Sequence, residues 1–432
     1  MKFGVAQGHR LSADEIRPPL AAYWRRGLRR YMQERLRGGT SMSATDGGGV
    51  EWCVSTTRTV VCLLGLIGNP ISVPAQAAPP LRWRATVDLT IGGTDATDDA
   101  SLGRISGLAV DRGGRIYVAD ASDDQIRVFS PAGAPVARIG RTGSGPLEFK
   151  HLATISIGPD QLLWVRDEGN ARMLGINAAV TPPLGVKNVP LSPFTGGSHM
   201  PIAFEPDGSF VDETIWYDKS MDAFRPLRLL RNAQGVVSRT DTLPVPAGAF
   251  AAVGKETKVQ KDASGTQTGI SQRYFFQPHG GVWLRAYGPN GIRADVVTSR
   301  YEVRVLDAAG QLIRTITRDP PRVALSAREK HAADSSLRVA GGNAPFGVPS
   351  AKAPILAVAW SSEGRLWVER AVADGQLREA DVFDGVGRYI AVAEWPRDVG
   401  LATGFPVIVG NTLTAVAADA NGNERIVRLR FR

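Results

Sequence analysis

The sequence predicts an all-β chain folded as a six-bladed β-propeller, and three observations carry that prediction. The stretch Ser106 to Gly140, SGLAVDRGGRIYVADASDDQIRVFSPAGAPVARIG, holds four short strands and three tight turns in one compact unit. A degenerate form recurs to the C-terminus, and self-similarity at a period of roughly 40–50 residues is the mark of a propeller blade. The pattern turn, Gly, any residue, apolar, aromatic, apolar occurs at Gly114–Val118, Gln161–Val165, Gly208–Glu213, Gly280–Leu284, Gly364–Val368 and, more weakly, Asn411–Val416. Six copies predict six blades.

Each element of the first unit follows from its residues. Gly107–Val110 and Ile116–Ala119 are near-continuous apolar runs, as required of strands buried on both faces between neighbouring blades. The third strand alternates, with Ile126 and Val128 on one side and Arg127 on the other. Asp111–Gly114 and Pro131–Gly133 supply residues that tolerate or pre-set turn dihedrals. The aligned positions Tyr117, Trp164, Val211, Trp283, Trp367 and Thr414 are spaced 47, 47, 72, 84 and 47 residues apart, so two steps contain insertions. A second ladder of hairpin turns, at Pro131–Gly133, Asn232–Gly235, Asp307–Gly310 and Asp384–Gly387, sets the same phase. The first unit closely resembles an NHL repeat, and the resemblance extends in outline over residues 81–432. It implies the fold and leaves the activity open, because propellers host many functions.

The last copy stops after its third strand, Arg425–Phe431, while Thr86–Ile91 is a strand with no blade of its own. Pairing the two would complete the last blade and remove exposed edges.

Ahead of the propeller, Arg58 precedes an apolar run, Val60–Ile67, then a break at Gly68–Pro70 and Ala75-Gln-Ala77. The run is too short to span a bilayer, and small residues one and three places before Ala78 suit signal-peptidase cleavage. Residues 58–77 are therefore read as a signal peptide, residues 78–432 as the propeller, and the destination as periplasmic or extracellular. Residues 1–57 are too long for the leading part of a signal peptide. They are read either as upstream of a true start near Met42 or as a basic extension, whose segment Trp24–Arg37 could form an amphipathic helix. Cleavage removes both cysteines, Cys53 and Cys62, and lowers the formal charge from +9 to +4. The basicity thus belongs mostly to the discarded part, which argues against nucleic acid as a partner. A monomer is expected.

Two insertions, Val245–Ser271 and Pro320–Lys352, join the outermost strand of one blade to the innermost of the next and should crown the same face. In the second, Ser326 and Glu329 match a capping box for a helix over Ser326–Ala340. Counting back thirteen residues from each aligned position gives the channel mouth on that face. Arg104, His151, His199, Arg273 and Lys352 fall there or beside it, with no carboxylate at the counted positions. A ring of cations suits a neutral or anionic ligand, whereas a hard cation such as calcium needs several converging oxygen ligands. His151, His199 and His331 are the candidate metal ligands, without the spacing of a zinc motif. NHL-type lyases use axial histidines, so the resemblance keeps a zinc-dependent lyase or a lactonase-like hydrolase as the enzyme alternative. The aromatic positions recur within the repeat and are expected to fill gaps between blades rather than to stack ligands. No catalytic triad, phosphate loop or nucleotide fingerprint stands in a credible setting, and no cofactor is implied. The reading favoured by the sequence is an exported, non-catalytic binding protein that recognises a peptide, glycan or anionic small molecule on the insertion-bearing face.

Overall fold

The computed structural model describes residues 81–93, 100–191, 203–218, 223–242, 252–261, 267–276, 283–297, 300–339, 350–401, 406–418 and 422–432. The signal segment and His199 lie outside the described residues.

After β1 (Leu81–Gly92), blade 1 is β2 (Ile105–Val110), β3 (Ile116–Asp120), β4 (Gln125–Phe129) and β5 (Pro135–Ile139). Blade 2 is β6 (Leu152–Ile157), β7 (Leu163–Asp167), β8 (Arg172–Asn177) and β9 (Leu184–Pro190). Blade 3 is β10 (Ala203–Phe204), β11 (Phe210–Asp218), β12 (Ala223–Arg231) and β13 (Val237–Thr242). The first insertion contains a two-stranded hairpin of β14 (Ala252–Lys261) and β15 (Gln267–Phe276). Blade 4 is β16 (Trp283–Tyr287), β17 (Arg293–Val297), β18 (Glu302–Leu306) and β19 (Leu312–Thr317), and the second insertion carries helix α1 (Ala327–Val339). Blade 5 is β20 (Ile355–Trp360), β21 (Leu366–Arg370), β22 (Arg378–Phe383) and β23 (Tyr389–Trp395). Blade 6 is β24 (Val407–Val409), β25 (Thr412–Ala418) and β26 (Glu424–Phe431), with β1 as its fourth strand.

The ladder of hairpin turns falls where expected, between third and fourth strands. Gly133, Gly235, Gly310 and Gly387 sit at φ of +85°, +81°, +86° and +77°, the left-handed region that glycine enters without steric cost. One phase differs from the sequence reading: Trp283 belongs to the first strand of blade 4, since β16 pairs with β17 and β17 with β18. The repeat pattern matched one strand early there, because the hairpin β14–β15 ahead of it has strand-like sequence of its own.

Closure occurs as predicted and reaches further. β1 pairs antiparallel with β26, with Thr86 opposite Arg430 and Ile91 opposite Ile426. Its first residues, Leu81–Arg84, run beyond blade 6 and pair in parallel with Ala391–Glu394 of β23, fusing blades 5 and 6 into one eight-stranded sheet. Trp83 lies 6.1 Å from Trp367, Arg82 and Arg84 both pair with Glu394, and Arg428 and Arg430 close on Asp88 at 2.9 Å each.

The core is a set of seams between blades. Apolar clusters join blades 1 and 2 around Tyr117 and Leu163, blades 4 and 5 around Val296 and Leu366, blades 5 and 6 around Trp367 and Phe431, and blades 6 and 1 around Ile426 and Ile116. Trp164 packs toward Phe204 and Phe210 of blade 3. The recurring aromatics Tyr117, Trp164 and Trp367 are thus interblade filler, each at most 3% exposed. Among the described side chains, the seam between blades 3 and 4 is instead charged. Arg285 and Arg293 converge on Asp295 at 2.7 and 3.1 Å, and Arg228 donates to the Ala308 carbonyl at 2.6 Å. Burial pulls the Arg228 guanidinium below its ordinary value, as expected for a cation removed from water.

Candidate functional site

In each antiparallel blade the first strand starts at the same end of the ring, here called the top. The connections between blades and the turns between second and third strands also lie there. Two of the five predicted cations stand at equivalent top positions. Arg104 precedes β2: its backbone N–H donates to Ser122 Oγ at 2.8 Å and its carbonyl accepts from Ala121 at 2.8 Å. Its side chain is exposed, and its guanidinium is without a partner among the described residues. His151 precedes β6 in a left-handed conformation, φ +58°, with an exposed side chain and a carbonyl that accepts from Glu168 N–H at 3.3 Å.

Of the other three, His199 lies outside the described residues, and Lys352 and Arg273 are placed differently. Lys352 precedes β20, but its ammonium pairs with Glu329 at 2.5 Å and donates to the Val372 carbonyl at 2.8 Å. Arg273 sits on β15, opposite Glu256 in the separate hairpin rather than at the start of blade 4. His331, the third histidine considered for a metal, is exposed on α1. Among the described residues no group of three or more His, Cys, Asp or Glu is placed to hold a metal ion.

Carboxylates do reach the top, from turns that the count along first strands did not sample. Gly103 and Lys150 donate backbone N–H groups to Asp120 and Asp167, at 2.8 Å each, within their own blades. Three others cross between blades: Ile105 donates to Glu424 at 2.5 Å, Leu152 to Asp124 at 3.0 Å, and Leu401 to Glu369 at 3.0 Å. Asp120, Asp167 and Glu369 lie at or next to the ends of second strands, a recurrence visible in sequence but overlooked there. Each acid satisfies a backbone donor that would otherwise be stranded at a strand start. They fasten one blade to itself or to the next, and their charge offsets the basic rim.

The described parts of the second insertion, residues 320–339 and 350–352, are held at this end by specific contacts. Ser326 N–H donates to Glu329 Oε2 at 2.9 Å and Glu329 N–H donates to Ser326 Oγ at 3.2 Å, the capping box that the sequence predicts. Ala324 bridges Ala351, and Lys352 N–H donates to the Val323 carbonyl at 2.8 Å, so the two ends of the insertion are zipped together. Arg328 pairs with Asp374 at 2.9 Å and the Ser326 hydroxyl reaches the same carboxylate at 3.1 Å, which pins the start of α1 to the top turn of blade 5. Burial works to raise the Glu329 carboxyl, but the Lys352 and Ser326 hydrogen bonds outweigh it and hold the group below the usual range. A carboxyl depressed in the folded state stabilises above its unfolded value of about 4.3 and loses that contribution as pH falls through its folded value. The protection factors of the insertion's amides, taken relative to the unstructured exchange rate at each pH, are therefore expected to be lower at about pH 3.5 than at pH 7, and Lys352→Ala should reproduce that loss of protection at pH 7. Equal exchange in parent and variant at both pH values would refute the tether.

A family model described as a 6-bladed beta-propeller, DUF5128, matches residues 95–201, which span blades 1 and 2. No curated protein matches the chain. Among solved structures, a member of the DUF4221 family from Bacteroides vulgatus is 11% identical, with 81% of this chain and 97% of that chain covered and a TM-score of 0.47. Virginiamycin B lyase from Staphylococcus aureus is 13% identical over 81% of this chain and 99% of its own, with a TM-score of 0.40. The PQQ-bound aldose sugar dehydrogenase from Streptomyces coelicolor is 15% identical over 82% and 100%, with a TM-score of 0.40. Sheet order, ring closure and the family match lead to one conclusion: this chain is a six-bladed β-propeller.

Proposed function

We propose that the protein is an exported binding propeller whose top end, crowned by the insertions, recognises a peptide, glycan or anionic small molecule. The observation that carries this reading is the pinned helix α1: capped, zipped at its base and fastened to blade 5, it stands on the end where Arg104 and His151 are exposed. Long segments held rigidly on a scaffold are typical binding elements. Export rests on the apolar run and Ala75-Gln-Ala77, and none of the described helices is long and apolar enough to cross a membrane.

The test uses protein recovered from the cell envelope or medium, whose mass should place the mature N-terminus at Ala78. Immobilised parent protein should retain small molecules or peptides from native extract at low salt and release them as salt screens the rim. Arg104→Ala combined with His151→Ala should lose that retention, whereas Lys352→Ala should act through loosening of α1. Retention by the double variant equal to that of the parent at both low and high salt would refute the top end as the site.

A further inference from the structure

Among the described residues, the outer strands of blades 1 to 4 each end their sheet without a further paired strand, and the chain itself shows what such an edge accepts. Leu81–Arg84 lies along the outer edge of β23 as an added parallel strand. Natural edges are usually blunted by proline, by charge or by cover. β5 begins with Pro135, β9 ends on Pro190, β13 carries the Arg239–Asp241 pair at 3.0 Å, and β23 is covered by β1. β19 reads LIRTIT, with no proline and Arg314 as its single charge; its leucine, isoleucines and threonines favour pairing, and Leu312 and Ile313 are 50% and 53% exposed.

A cleft of about 430 Å³ runs along this edge. Residues 314–318 line it consecutively, so it presents both faces of the end of β19 and the backbone between them, while Phe383, Gly387 and Tyr389 of blade 5 form the opposite wall. That wall is held in place by Asp381, 1% exposed, which accepts from Tyr301 at 2.7 Å and Tyr389 at 3.1 Å and pairs with Arg318 at 2.7 Å. Arg318 also stacks on Tyr389 at 4.4 Å and is thereby engaged. Arg314 is exposed, and its guanidinium has no partner among the described residues. None of the eight lining residues is acidic.

We propose that this cleft is a strand-addition site for an extended acidic peptide segment of a partner protein, which pairs with the free edge of β19 and sets a carboxylate against Arg314. Main-chain hydrogen bonds supply affinity in such sites, and side-chain positions on alternate residues supply choice. Two copies of β19 pairing antiparallel about their centre would bring the two Arg314 side chains to neighbouring cross-strand positions, where like charges oppose pairing. The acidic segment is the occupant that the charge favours. The cleft lies on the rim between blades 4 and 5 and does not depend on the top end being a binding face.

The test is fluorescence polarisation with a labelled seven-residue peptide alternating valine and glutamate, and a control alternating valine and lysine. The glutamate peptide should bind the parent protein, and Arg314→Glu should weaken it by about tenfold or more while Arg314→Lys retains most of the affinity. Amides of residues 312–317 should gain protection from hydrogen exchange when the peptide is present, the signature of backbone pairing. No binding of the glutamate peptide, equal binding of the lysine peptide, unchanged affinity in Arg314→Glu, or protection confined elsewhere would each overturn the proposal. So would sedimentation showing a parent dimer in which the amides of residues 312–317 are already protected without peptide.

Discussion

Deleting residues 78–92 is expected to destabilise the ring by on the order of 5 kcal/mol, a large part of the 5–15 kcal/mol that separates folded from unfolded domains. The estimate comes from what β1 contributes. Ile91 is 3% exposed, and Trp83 and Leu89 are partly buried against neighbouring blades. Each such side chain is worth about 1.5–3 kcal/mol when fully buried. The deletion also strips β26 of its outer partner and uncovers the edge of β23, so the truncated chain should associate at concentrations where the parent is dispersed. Urea unfolding followed by tryptophan fluorescence measures the first effect and size-exclusion chromatography the second. An unchanged unfolding midpoint would show that blade 6 stands without its fourth strand.

Asp212→Ala should cost about 3–5 kcal/mol, the price of stranding buried charge. Asp212 is 3% exposed and takes Arg166 from blade 2 at 2.7 Å and Arg231 from its own blade at 3.3 Å. Both guanidiniums are themselves almost fully buried, so removing the carboxylate leaves Arg166 with the more distant Glu168 at 3.6 Å and Arg231 with the Gly235 carbonyl at 2.8 Å. By contrast Asp398→Ala breaks the Arg425 pair, in which both side chains are partly exposed, and should change stability by about 1 kcal/mol or less. Chemical denaturation of the two variants separates these cases; equal losses would mean that solvent reaches the Asp212 seam.

Much of the fold was legible because propeller blades write the same physics repeatedly. Turn glycines at positive φ recur in blades 1, 3, 4 and 5, a wedge-filling aromatic recurs in blades 1, 2 and 5, and the spare strand Thr86–Ile91 followed from counting. Blade 4 was read one strand early because periodicity reports strands, not their rank within a sheet, and β14–β15 adds two strands of similar character just before it. The parallel reach of Leu81–Arg84 onto β23 had no sequence signal, since pairing beyond a complete blade follows from the direction in which β1 leaves the ring. The top end was less legible. Arg104 and His151 fell where the count put them, but the engagement of Lys352 depends on Glu329, which a long insertion brings back over blade 5. The acids at Asp120, Asp124, Asp167 and Glu424 were passed over because the count followed first strands only, while the groups that satisfy those strand starts come from the turns beside them.

Thr86 and Arg430 face each other across 344 positions of chain. In a chain synthesised from its N-terminus, the strand that completes the ring is made before all the blades and its partner last. Throughout that interval β1 is a strand without a sheet, so its composition bears on the unfinished chain as well as on final packing. LRWRATVDLTIG answers with Arg82, Arg84 and Asp88 spaced along it, charges that discourage premature pairing with a stranger and later find Glu394, Arg428 and Arg430. Long sequence separation slows folding, so closing the ring should be the last and slowest step of assembly. Until then the other five blades wait as an open arc.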